Sequence, residues 1–290
     1  MKQFQILLAL SLTIACFGSI YLKFEERTAE ETIIFFPLNE SAHFTSAETS
    51  LEVESLEKNK EWKVQWRTKS TLNQKAYLRQ DLSLLFRNGR LKQKMSKWEQ
   101  NTDSVSLKNT VSGSDNSLLQ SVTFHYAEIH NGDDSITSAQ SMSKEQLYLI
   151  ISSHHPTATD GDSKTAEEKE WKRVMDKAGK EQIKSTTKQA LKKYRLMPQN
   201  YHIIPLTELP MYTQKPFPGF TDRQTQRILG NLWEGLYKNY FLGVKKEDGT
   251  TASPIGSSIP LIFLPKTTKF IYIVIPLKDG ELIKLQQMIP

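Results

Sequence analysis

From Trp62 onward, apolar and polar residues alternate. Trp62, Val64, Trp66 and Thr68 are interleaved with Lys63, Gln65, Arg67 and Lys69, the pattern of a strand with one buried face. Leu78, Leu82, Leu84 and Phe86 share one face of a following strand. Asn88-Gly89 then predicts a two-residue hairpin, because both residues tolerate positive φ. Further strands are expected at 105–111, 118–130, 135–141 and 147–153, with "GSDN" and "NGDD" as turns. Together they describe an antiparallel meander of roughly seven strands.

The period changes after the polar segment "HHPTATDGD", a candidate seam near 154–163. Thr165 and Glu168 have capping-box spacing. Beyond them Trp171, Val174, Met175, Ala178, Ile183, Thr187, Leu191 and Tyr194 keep a helical stripe, with Gly179 as a point of division into two helices. Prolines 198, 205, 210, 216 and 218 predict an extended crossing. A second capping box, Thr221 to Gln224, opens a strongly periodic helix that runs through Trp233 to Phe241 and stops at Gly243. Gly230 and Gly235 inside it each cost about 1 kcal/mol relative to alanine, which implies close backbone packing. The chain returns to strands at 259–265, 270–275 and 281–289. "FIYIVI" is apolar on both faces and so belongs in mid-sheet.

The expected fold is therefore α+β: an antiparallel β meander, then two or three amphipathic helices, and a C-terminal three-strand segment packed with them. The domain spans 61–290.

The first 23 residues follow a different rule. Ile6–Leu22 is apolar apart from Ser11, Thr13 and Ser19, and seventeen helical residues reach roughly 25 Å, enough for a bilayer core. Cys16 follows Ala15 as a lipidated cysteine would. However, Thr13 occupies the position where a lipobox carries leucine, and the apolar run continues through Leu22. The same continuation argues against a cleaved signal peptide. An uncleaved membrane anchor over 6–22 uses the entire run, with Cys16 the candidate lipidation residue if it is processed instead. Residues 24–60, acidic and Ser/Thr-rich around the apolar "IIFFPL" at 33–38, read as a juxtamembrane stalk. The expected address is the cell membrane of a bacterial envelope, single-pass, with most of the chain outside the cytoplasm, since long domains translocate largely regardless of flanking charge. A short anchor and a Lys-rich, cysteine-free exterior domain resemble Gram-positive surface proteins, in composition alone.

Charge and chemistry narrow the function classes. The chain of 290 residues carries a net +6, too small a surplus for a dedicated nucleic-acid binder. Cys16 is the only cysteine, so the exterior part has no disulfide, thiol nucleophile or thiolate metal site. His125 and His130 fall on opposite faces of one strand, His154 and His155 diverge, and Asp160 and Asp162 lack the rest of a calcium loop. No metal site is expected, and the histidines read as polar surface or loop residues. No G-x-S-x-G elbow, Walker loop or G-x-G-x-x-G is present. Ser55-x-x-Lys58, Ser114-Asp115-Asn116 and Lys266-Thr267-Thr268 occur in the order of the penicillin-recognising enzymes, but outside that family's structural context. No cofactor is implied. Glu234, on the edge of the aromatic stripe, reads as exposed.

The feature with a rationale for binding is the basic helix. Residues 163–195 hold eleven Lys/Arg against five acids, a net charge equal to that of the whole chain. Lys172, Arg173, Lys177, Lys180, Lys184, Lys188 and Lys192 form a candidate face for an anionic polymer, lipid headgroups or an acidic protein. Glu168–Lys172 and Asp176–Lys180 have the spacing of ion pairs. The expected function is a membrane-anchored extracytoplasmic binding or accessory module without a catalytic constellation. The alternatives are a cell-envelope hydrolase with a dispersed site and a lipoprotein with an assembly or chaperone role.

Overall fold

The computed structural model describes residues 34–57, 61–132, 135–151, 156–267 and 269–289. The expected anchor at 6–22, with Cys16, lies outside these residues, as do Lys58, His154 and His155. The architecture is α+β, an antiparallel half-barrel followed by helices and C-terminal antiparallel strands.

The half-barrel is built on one very long strand, β2 (Trp62–Arg87). It pairs along its length with β3 (Arg90–Gly113), through the Asn88-Gly89 turn expected from the sequence. Both turn residues have positive φ, 49° and 74°, as such a hairpin requires. The two strands read separately at 62–68 and 78–86 are one, bent at an irregularity between Thr71 and Ala76. No glycine or proline stands there to end the first, and a bulge turns the corner. The first arm of β2 pairs with β1 (Phe44–Ser55), and the second with β4 (Ser117–Asn131). β5 (Ser135–Ile150) and the short β6 (Thr157–Thr159) complete the sheet of six strands. β5 fuses the strands expected at 135–141 and 147–153.

Two stretches join the domain although the sequence read them as stalk. β1 pairs Leu51 with Trp66 and Val53 with Val64. The "IIFFPL" stretch docks: Tyr126 donates to the carbonyl of Ile34 at 2.6 Å, and Ser138 Oγ to that of Phe36 at 2.6 Å.

The second arm of β2 is buried on both faces from Arg79 to Phe86. One face meets α2 (Asp222–Leu236), where Trp233 stacks on Phe124 with centroids 5.1 Å apart. A π-helical turn at Tyr237–Phe241 extends α2, and Gly243, at φ 158°, follows. The other face looks into the half-barrel. α1 (Ala166–Tyr194) is one unbroken helix through Gly179. Both capping boxes form.

β7 (Tyr201–Pro205), β10 (Leu261–Pro265), β11 (Phe270–Pro276) and β12 (Leu282–Met288) make a second sheet in the order β12-β11-β10-β7. β11 carries "FIYIVI" and is central, as two apolar faces demand. β7 is a strand that the proline spacing concealed. A short hairpin, β8 (Val244–Lys245) with β9 (Thr251–Ala252), lies between β7 and β10 in sequence. The sheets meet at the Asn88-Gly89 turn: Leu91 N–H donates to the Ser257 carbonyl at 2.8 Å, and Ile259 N–H to that of Gly89 at 3.1 Å.

The two glycines of α2 have different roles. A Cβ at Gly230 would lie 1.9 Å from the Phe35 ring, whereas one at Gly235 would meet nothing within 4 Å. Gly235→Ala is expected to gain up to about 1 kcal/mol of stability from helix propensity. Gly230→Ala is expected to lose about 1–3 kcal/mol by overpacking, partly recovered by adding Phe35→Ala. Chemical denaturation of the four proteins checks both signs.

Candidate functional site

α1 is held by a narrow flank. At its start Thr165 Oγ1 accepts from Glu168 N–H at 3.1 Å, and the Glu168 carboxylate accepts from Lys164 N–H at 2.6 Å and Thr165 N–H at 3.2 Å. Those backbone donors hold Glu168 below the usual carboxylate range. Midway, Tyr148 donates its hydroxyl to Asp176 at 2.6 Å and Gln182 donates to Ser258 Oγ at 2.8 Å. Burial and that carboxylate push the Tyr148 phenol up. At the far end Lys193 and Tyr194 donate to the Leu282 carbonyl at 2.8 and 2.5 Å. Ile183, Leu191 and Tyr194 pack against the second sheet, and in the whole helix only Glu168, Thr186 and Ala190 are fully buried.

The opposite flank is cationic. Lys169, Arg173, Lys177, Lys180, Lys184, Lys188 and Lys192 are all exposed, and spacings of three and four keep them on one side of the helix for roughly 35 Å. Glu170 holds Arg173 at 2.7 Å and Glu181 approaches Lys184 at 3.8 Å. Among the described residues no carboxylate lies within 4.0 Å of Lys169, Lys177, Lys180, Lys188 or Lys192. Lys172 departs from the expected face: it pairs with Asp176 at 3.1 Å and lies 5.0 Å over the Tyr148 ring. Asp176 is thereby drawn away from Lys180, and Glu168 from Lys172, so neither ion pair anticipated from spacing forms.

Two hollows flank the helix. An open groove of about 780 Å³ runs along its first half beside Gly161–Lys164, walled by Lys164, Lys169, Arg173, Lys177 and Lys180 among others. A cleft of about 490 Å³ lies on the sheet side, between Trp171 and Met175 of α1 and Gln120, Gln146 and Tyr148 of the sheet. Asp176 and Lys180 belong to both walls.

Sequence reasoning missed a buried polar belt inside the half-barrel. Asp81 accepts from Ser70 Oγ at 2.8 Å and lies 2.9 Å from His125 Nδ1, and His125 Nε2 lies 2.8 Å from Ser143 Oγ. Ser143 Oγ is 2.6 Å from Thr49 Oγ1, which is 2.7 Å from Thr123 Oγ1, itself 2.6 Å from Ser83 Oγ. Arg79 donates to Ser70 Oγ at 2.6 Å and to the Asp103 carbonyl; burial pushes its guanidinium down, against the upward pull of Asp81 and Asp103. Asp81, His125 and Arg79 are fully buried, and Ser143 is half-buried. His125 is thus no surface residue. His130, exposed, lies 2.6 Å from Glu128 and stacks on Tyr77. Carboxylate, imidazole and hydroxyl stand in the order and at the spacing that moves a proton from a serine. None of the three belongs to the walls of the hollows beside α1.

Glu234 is a tether: it accepts from Phe35 N–H at 3.0 Å and from Lys238 at 2.9 Å. Among the described residues no three His, Cys, Asp or Glu side chains gather as a metal site, and no helix is long and apolar enough to cross a membrane. No protein-family model, curated protein or solved structure matches the chain.

Removing one member of a buried hydrogen-bonded network leaves the others without a partner. Asp81→Ala is expected to cost about 3–5 kcal/mol, and Ser143→Ala about 1 kcal/mol. Urea unfolding midpoints of the two variants test this ordering.

Proposed function

We propose that the chain is an extracytoplasmic binding or accessory module, anchored to the membrane through residues 6–22, which engages an anionic polymer along the outer flank of α1. The observation that carries this reading is the row of exposed cations at 169–192, five of them without a carboxylate partner among the described residues. A surface ion pair contributes little, so a stripe left unneutralised on a stable helix is free to attract a polyanion. A regular spacing over roughly 35 Å beside an open groove suits a linear chain of charges. A membrane-surface helix would set large apolar side chains along the edges of its basic face. Among the exposed positions of α1, Val174 is the only large hydrophobic residue.

The test is binding of polyglutamate and of polyglycerol phosphate to the full chain in nanodiscs, over a range of salt. Replacing Lys177, Lys180, Lys184 and Lys188 together by Gln is expected to weaken both by about fourfold to several hundredfold, at roughly 0.2–1 kcal/mol for each charge, and to flatten the salt dependence. Unchanged affinity, or selective capture of an acidic protein instead, would contradict the polymer reading.

A second reading, a hydrolase acting on esters of envelope material, is favoured by the geometry of Asp81, His125 and Ser143. Ser143 Oγ would attack the acyl carbon as its proton passes to His125 Nε2. That proton then leaves with the alcohol, and water repeats the sequence to free the acid. A fluorophosphonate probe distinguishes this reading: stoichiometric labelling at Ser143, lost in Ser143→Ala, supports it. Absence of labelling on the folded chain leaves the belt a purely structural one.

A further inference from the structure

The cleft on the inner side of α1 has a composition unlike that of the cationic groove. We propose that it is a saccharide subsite, so that the anionic polymer is an acidic glycan; this rests on the reading of the outer flank given above. Its volume of about 490 Å³ is within the range of small-molecule sites, roughly 300–1,000 Å³, and admits a sugar ring or two. A second hollow of about 300 Å³ continues it along β4 and β5, sharing Gln120, Gln146, Thr207 and Glu208. The combined channel can therefore hold more than one residue of a chain.

The chemistry of the walls selects the ligand. Trp171 and Met175, both half-buried, give the helix wall of the cleft its apolar surface, while the Tyr148 ring beside them is buried and covered by Lys172. Apolar C–H faces of a pyranose pack on such surfaces. The opposite wall is rich in carboxamides. A carboxamide offers donors and an acceptor together, matching hydroxyls that both donate and accept. The side-chain amide of Gln120 and the hydroxyl of Thr207 have no hydrogen-bond partner among the described residues, and both line the junction of the two hollows. An apolar ligand would strip water from these groups and return nothing.

Charges of both signs stand at the margins: the carboxylates of Asp176, Glu208, Glu145 and Asp160, which can accept from sugar hydroxyls, and two lysines. Lys144 is paired with Glu208 at 3.1 Å, and Lys180 lies on the wall common to cleft and groove. A neutral ring inside, with its carboxylate or phosphate substituent directed to Lys180, satisfies both surfaces at once. A simple polyanion such as polyglutamate satisfies only the outer one.

The experiment compares oligogalacturonate with oligoglutamate of equal charge, binding the full chain in nanodiscs. Wild type is expected to favour the glycan by about tenfold, the difference one good set of polar contacts supplies. Trp171→Ala and, separately, Gln120→Leu are expected to erase that preference while leaving oligoglutamate binding unchanged. The lysine-to-glutamine variant is expected to weaken both ligands alike. Equal binding of the two by wild type, with neither cleft variant altering it, overturns the saccharide subsite and leaves the polyanion reading standing. Absence of salt-sensitive binding to either overturns both. Thermal unfolding of each variant shows that lost preference is not lost fold.

Discussion

A carboxylate in the middle of a β-half-barrel dictates how the strands around it are arranged. Asp81 is inaccessible to water, and an isolated charge there would be prohibitively costly. Ser70 from the first arm of β2 and His125 from β4 supply its hydrogen bonds, and Arg79 reaches the same Ser70. These bonds bring the two arms of β2 face to face across the bend at 72–76. Ser143 and Thr49 carry the chain of contacts onward to β5 and β1. The belt divides the interior into two apolar clusters, one around Trp62, Trp66 and Leu119, the other around Leu72, Ala76 and Ile129. Slippage of any strand by one residue would turn its polar member outward and orphan the rest.

Everything outside the barrel follows from that commitment. With the inner face of the second β2 arm occupied by the belt, its outer face is free to receive α2, and Trp233 fills it. α1 then finds no broad apolar surface remaining. It lies along the rim, bridging the main sheet through Tyr148 and the second sheet through Leu282. A helix held by so narrow a flank must expose most of its circumference, and in this chain that circumference is lysine.

Much of the fold is legible in the sequence, and the places where it is not share a cause. The two arms of β2, the second half of β3, the Asn88-Gly89 turn, both capping boxes and the central position of "FIYIVI" follow from period and local turn chemistry, whereas 90–104 lacks an apolar alternation and does not read as strand. β1 escaped because its inward Thr49 meets the polar belt, so the alternation of apolar residues is missing. His125 escaped for the same reason. A polar residue facing a polar interior has the pattern of one facing water, and its partners Asp81 and Ser143 lie 44 and 18 residues away. The bend at 72–76 has no glycine or proline to announce it. The basic stripe was visible except at its start, where Lys169 takes the place expected of Lys172; that Asp176 would bond Tyr148 and Lys172 and leave Lys180 unpaired was not, because Tyr148 comes from another element.

The account rests on α1 presenting two chemically distinct flanks, one fastened to the sheets and one offered to an anionic chain. Lysine acetylation footprinting of the full chain, with and without oligogalacturonate, tests that division residue by residue. The account predicts that Lys177, Lys180, Lys184 and Lys188 react readily alone and are protected by the glycan, while Lys172 and Lys193 react slowly in both states. Equal reactivity of all six, unaltered by the glycan, would contradict it.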